Sequence, residues 1–300
     1  MPYVILGGAQ LAVGAAAIFA RYALGGAGPV AVSAGRLAIA AAVLLALAAV
    51  RRTKTRVGAR DGWLLAAAGV ALAAHFVTWI WSLEYTSVAL STLLVTTTPV
   101  WTALYDASTG VRTLSRRAVI AFLTGGAGLV MVVAWDRTAA PVAGHELLGS
   151  LLALAGSVAI AAYLLVVRDV RRRVPDTRAI VTRTYGWSAL ALLVLCAAVR
   201  EPLPAPSNYA AWGGIAAMAL VSQLLGHTAL NASLRWFTPS AVSFATLLEP
   251  VFAAVLAVIV FAEPVPPLAI VGGVVLLASI AVVLREERLE DWTAPNHQLE

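Results

Sequence analysis

One cysteine, Cys196, three methionines and 15 acidic residues against 21 basic ones stand in 300 residues. A single thiol excludes an intramolecular disulfide, so helix packing has to supply the stability. Charged residues make up only 12% of the chain, against the roughly 25% that gives a soluble domain its polar shell. Catalytic motifs are missing as well. There is no GxSxG, no HExxH and no Walker A loop. His145–Glu146 has no second ligand nearby and His297 lies near the end of the chain, so neither a metal nor a cofactor is expected. A membrane-embedded enzyme is the remote alternative. No stretch mixes basic and aromatic residues in the manner of an RNA-binding surface, so no nucleic-acid partner is expected.

Apolar sequence is what the chain has in excess, at 61% hydrophobic residues and a mean hydropathy of +0.87. Ten apolar runs cover residues 3–24, 29–50, 62–82, 87–105, 117–135, 146–167, 179–199, 209–230, 239–261 and 266–284. Each is long enough to cross about 30 Å of hydrocarbon as a helix. The opening MPYVILGGAQLAVG lacks the basic flank of a signal peptide and reads as the first membrane helix. The lipid bilayer is therefore an expected partner. The tail from residue 289 to 300 is polar and is expected to be disordered.

Sixteen of the 21 basic residues fall in alternate connections: five over Arg51 to Arg60, three over Arg112 to Arg117, five over Arg168 to Arg178, then Arg235, Arg285 and Arg288. The positive-inside rule then places both termini in the cytoplasm. Of the exceptions, Arg36 and Arg183 fall inside expected helices, and Arg21, Arg137 and Arg200 lie elsewhere. Topology and contact with anionic lipid thus account for the net charge of +6.

An internal repeat organises these runs. Residues 83–104, LEYTSVALSTLLVTTTPVWTAL, align with residues 234–255, LRWFTPSAVSFATLLEPVFAAV. Leu83 matches Leu234, Tyr85 matches Trp236, Pro99 matches Pro250 and Trp101 matches Phe252, with Gly125–Gly126 and Gly272–Gly273 following. The units run over 1–140 and 141–288, with five helices each. Five is odd, so the second copy lies upside down in the membrane, as in secondary transporters whose substrate site sits between inverted halves.

These paired segments, with the FAEP that follows and the AGRLAIAAAVLL around Arg36, resemble the EamA-type drug/metabolite transporter superfamily, and within it the bacterial aromatic amino acid exporters. The first copy departs from the pattern, with Thr98 where the second has Glu249 and nothing matching Glu263. The resemblance implies an inner-membrane transporter of ten helices that exports amino acids or other small metabolites. Nucleotide-sugar or broad drug transport is the alternative.

Polar groups inside membrane helices mark faces turned toward a partner or a path. On the third helix His75, Thr78, Trp79 and Ser82 share one side at helical spacing, and on the fourth Thr98, Trp101, Thr102 and Tyr105 do so. The eighth offers Gln223, His227 and Asn231, and the ninth Ser243, Thr246 and Glu249. Of these, His75, Thr78, Trp79, Thr98, Trp101, Gln223, His227, Ser243 and Glu249, with the deep aromatics Tyr163 and Trp187, are the candidate substrate-binding residues. The hydroxyls serve equally well to bond their own backbone, and the rings and imidazoles to fill the core. Trp63, Trp135, Trp212 and Trp236 lie at span ends, as belt anchors do. Pro99 and Pro250 are candidate hinges, since proline removes an intrahelical hydrogen bond. Glu249 can donate to a freed carbonyl as a neutral acid, or accept a substrate ammonium group or a coupling proton. For Arg36 three roles are open: snorkelling, pairing with a carboxylate such as Glu84, or holding a substrate carboxylate. Pairing is the favoured expectation.

Overall fold

A computed structural model describes residues 1–50, 55–85, 91, 94–110, 115–133, 145–261 and 267–293. Trp135, Arg137, Glu263 and His297 lie outside the described residues. Ten helical segments run through the rest: Pro2–Leu24, Pro29–Val50, Ala59–Ser82, Thr98–Ser108, Arg116–Val133, Glu146–Arg171, Thr177–Val199, Tyr209–Ser233, 239–261 and Pro267–Thr293. Six of these, among the described residues, are alone long and apolar enough to cross a membrane. The protein is an all-α, multi-pass membrane protein of ten spans in two inverted five-helix repeats.

Local chemistry sets the helix ends. Pro2 and Pro29 open their helices where a missing amide is harmless. Asp176 accepts from the Arg178 amide at 2.9 Å, Asn208 from Ala211 at 3.1 Å and Thr238 from Ala241 at 3.2 Å, capping the seventh, eighth and ninth helices. Arg200, at φ 55°, stops the seventh helix in the left-handed conformation. The last helix continues to Thr293, beyond Arg288, where disorder was expected. Its sequence LREERLEDW is rich in the good helix formers Leu, Arg and Glu, which supports extra turns.

Packing follows the repeat. The third helix lies on the sixth and, in the equivalent place, the eighth on the first. The second packs on the seventh, the fourth on the ninth and the fifth on the tenth, each pair joining equivalent helices of the two halves. Backbones approach closely where glycine allows it. A Cβ on Gly128 of the fifth helix would stand 2.8 Å from the Gly272 carbonyl oxygen and 2.9 Å from the Leu276 nitrogen on the tenth. Without a hydrophobic driving force between helices in lipid, such contact is what associates them.

Both expected hinge positions coincide with breaks. Thr96 and Thr97 form a turn, after which the fourth helix resumes at Thr98–Pro99. In the ninth helix Thr246–Leu248 tightens to 3-10 geometry and the α-helix resumes at Glu249–Pro250. Proline cannot supply the donor that continuity would require. The eighth helix holds a departure that sequence spacing did not suggest, a π-helical stretch over Met218–His227. Its wider turn gives the Gln223 carbonyl the Thr228 amide as donor, and the hydroxyls of Tyr185 and Thr228 approach the same carbonyl, both at 3.4 Å.

Substituting Gly128→Ala forces a methyl group against backbone and should destabilise the protein by about 1–3 kcal/mol. Gly126→Ala, where nothing lies within 4 Å, should be neutral or stabilising by up to about 1 kcal/mol through helix propensity. Unfolding midpoints of the two variants in detergent check the contrast.

Candidate functional site

The second, third, seventh and eighth helices assemble a charged and aromatic group inside the bundle. Arg36 is fully buried and its Nε donates to Gln223 Oε1 at 2.9 Å. A guanidinium only donates, so the amide must present its oxygen there, which holds Gln223 Nε2 close beside the arginine. The Arg36 Cζ lies 4.0 Å from the centre of the Phe76 ring, and that ring meets His227 edge-on at 5.2 Å. His75 stacks on Trp79 at 6.4 Å, and its Nδ1 is 2.9 Å from the Gly156 carbonyl. Carbonyls only accept, so Nδ1 carries the proton and a neutral ring offers Nε2 as an acceptor. Glu249, partly buried at the restart of the ninth helix, interacts electrostatically with Arg36 but forms no ion pair with it.

Enclosed polar atoms without a partner among the described residues collect in this group: both terminal nitrogens of Arg36, Gln223 Nε2 and Trp79 Nε1. The hydroxyls of Ser188 and Ser222 and both amide atoms of Gln10 share that condition on the seventh, eighth and first helices.

A second polar seam joins the fourth, sixth and ninth helices, and it is satisfied. The hydroxyls of Thr98 and Ser157 meet at 3.2 Å and those of Thr102 and Ser243 at 3.1 Å. One turn further, Asp106 pairs with Arg168 at 2.7 Å and accepts from Ser240 at 3.3 Å. A third set is anchored by Tyr163, whose hydroxyl donates to Asn231 Oδ1 at 2.9 Å, while Asn231 Nδ2 donates to the His227 carbonyl at 2.8 Å. Arg171 donates to the Asn231 carbonyl at 2.6 Å.

Of the residues that sequence spacing singled out, His75, Trp79, Gln223 and His227 come together, with Glu249 in electrostatic reach. Thr98 and Ser243 belong to the seam and Tyr163 to the third set. Thr78 returns its hydroxyl to its own helix, 2.7 Å from the Ala74 carbonyl. Trp101 is half-buried with its Nε1 enclosed. Trp187 is not brought to the group: it is 43% exposed, two residues and about 200° round the helix from Tyr185, which faces Gln223.

Arg36 needs a correction. It neither snorkels nor pairs with Glu84, which lies exposed past the end of the third helix. Burial and then the nearby charge of Glu201 raise the Glu84 carboxyl above its ordinary range, with no arginine among its influences. Phe76 and Tyr185 were also missed. An aromatic inside an apolar run does not show in one sequence which neighbour it meets, whereas an arginine or a glutamine such as Gln10 in such a run marks a face that needs a polar partner.

Paired inverted halves, broken helices and a polar group between them are the construction that membrane transporters share. The sequence pattern of the EamA-like transporter family matches residues 2–134 and again 147–285, and the chain belongs to that family. No curated protein matches the sequence. Among solved structures, the protein is similar to one crystal structure at a TM-score of 0.77 and 19% identity, over 97% of this chain and 98% of that one, a likeness of fold.

Tyr163→Phe leaves the buried Asn231 oxygen without its donor and should lower stability by about 1–3 kcal/mol. Thr78→Val, which removes a hydroxyl bonded only within its own helix, should change it by less than about 0.5 kcal/mol. Thermal midpoints of the purified variants check both.

Proposed function

We propose that the protein is a secondary transporter that exports small amphiphilic metabolites, aromatic and other amino acids foremost, across the inner membrane by alternating access, with both termini cytoplasmic. The observation that carries this reading is the enclosed group around Arg36, made of residues from both halves, beside two helices broken at matched positions. Half-helices that restart near the contact of inverted repeats are where transporters of this construction hold their substrates. The faces of Trp79 and Trp101 suit an aromatic ring, His75, Gln223 and His227 supply hydrogen bonds, and Glu249 accepts a substrate ammonium group or a coupling proton. Its counterpart Thr98 supplies only a hydroxyl. Pro99 and Pro250 serve as the hinges on which one half rocks against the other.

Nucleotide-sugar or broad drug transport is the second reading. A nucleotide sugar brings at least two phosphate charges to a group that holds one arginine, which favours the first.

In liposomes, the purified protein should drive counterflow of labelled phenylalanine or tryptophan in preference to cationic drugs and nucleotide sugars. The reverse preference would replace the first reading by the second. Glu249→Gln, which keeps size but cannot ionise, should lower turnover by about tenfold, or ~1.4 kcal/mol, and flatten its pH profile. Normal rate, affinity and pH dependence would make the carboxylate structural. The double variant Pro99→Ala with Pro250→Ala should slow turnover by about tenfold with binding little changed, since it restores two backbone donors and stiffens the breaks.

A further inference from the structure

From the unpartnered nitrogens around Arg36 we infer a carboxylate subsite: the terminal nitrogens of Arg36 and Nε2 of Gln223 together hold the carboxylate of the transported molecule. This rests on the transporter reading and names the chemical group by which that site recognises its substrate.

Three observations lead there. The first is charge without a counter-ion. A fully buried guanidinium is tolerated when it is paired and hydrogen-bonded, yet Arg36 has one hydrogen bond, made by Nε to an uncharged amide. Its terminal nitrogens are enclosed and have no partner among the described residues, and no carboxylate is paired with them.

The second is geometry. Gln223 occupies Nε and so leaves the end of the fork formed by the two terminal nitrogens, which matches the spacing of two carboxylate oxygens. The glutamine's own Nε2 shares a carbon with the oxygen that Arg36 holds, so it lies beside that fork as another donor without a partner. The unspent atoms of Arg36 and Gln223 are all donors, the complement of a group that only accepts.

The third is support. Phe76 covers the guanidinium at 4.0 Å and is itself held by the edge of His227, and Tyr185 and Thr228 fix the carbonyl of Gln223 within the π-helical turn. Arginine and glutamine are thus held in place before a ligand arrives, which reduces the ordering that binding requires.

The test needs no knowledge of the natural substrate. Thermal unfolding of the full-length protein in detergent is followed against phenylalanine, phenylalaninamide, phenylacetate and benzoate, because a ligand that binds the folded state raises the midpoint with its concentration. In the wild type, phenylalanine should half-saturate at a concentration about tenfold or more below that of phenylalaninamide, as expected for the loss of charge-assisted hydrogen bonds. In Arg36→Gln that preference should vanish. In Arg36→Lys, a point charge without the fork, it should be reduced. Equal response to acid and amide in the wild type, or a preference that survives Arg36→Gln, overturns the subsite. Should phenylalanine be silent while phenylacetate and benzoate act through Arg36, the subsite stands and the amino-acid reading falls. Silence toward all three carboxylates overturns the subsite. The comparison of ligands in the wild type decides the matter even if a variant fails to fold.

Discussion

A guanidinium enclosed by membrane helices has no water to fall back on, and the interior of this protein is arranged around that constraint. Arg36 is fixed by an amide at Nε and by a ring on one face. Cation–π contact contributes about 2 kcal/mol or more when desolvated, well short of the several kcal/mol that burial of a charge involves. The balance has to come from groups arriving from other helices. That requirement fits the seating of the second helix, rich in alanine and valine, against the stretch of the eighth that carries Gln223.

The irregular backbone serves the same end. The π turn over Met218–His227 shifts the register of the backbone ladder, so that the Gln223 carbonyl takes the Thr228 amide and two hydroxyls while its side chain bonds Arg36. Irregular turns recur at functional positions because they re-aim side chains at modest energetic cost. The 3-10 turn before Glu249 has the same character, and it sets that carboxyl group at the head of a half-helix, where the dipole favours negative charge.

Much of this was legible in the sequence, and the parts that were not share a physical reason. Apolar runs separated by charged connections specify spans because hydrocarbon tolerates little else, and the 151-residue offset between Pro99 and Pro250 specifies the repeat. The positions of His75, Trp79, Gln223 and His227 follow from helical spacing alone. Which groups meet across helices does not: Arg36 and Gln223 lie 187 residues apart, and a local carboxylate such as Glu84 is the closer choice only along the chain. Trp187 failed for a related reason. Depth in a span can be counted in residues, but the face it presents depends on which neighbour the helix packs against, here through Gly69, where a Cβ would stand 2.5 Å from that of Trp187.

The scaffold is symmetric while its chemistry is not, and the division follows from what each must do. The proposed alternating access would require two arrangements of nearly equal free energy, and equivalent helix pairs suit that: third on sixth and eighth on first are one contact used twice. Recognition requires the opposite, since a small ligand with distinct ends cannot be read by a site whose halves are alike. At one symmetric pair of positions the second half has Glu249 where the first has Thr98. The satisfied ion pairs follow the same logic. Asp106 with Arg168 and Asp61 with Arg173 both join helix ends at the basic end of the bundle. Contacts confined to one end stabilise one arrangement over the other, so the sequence can bias the resting state without altering the symmetric core on which the exchange depends.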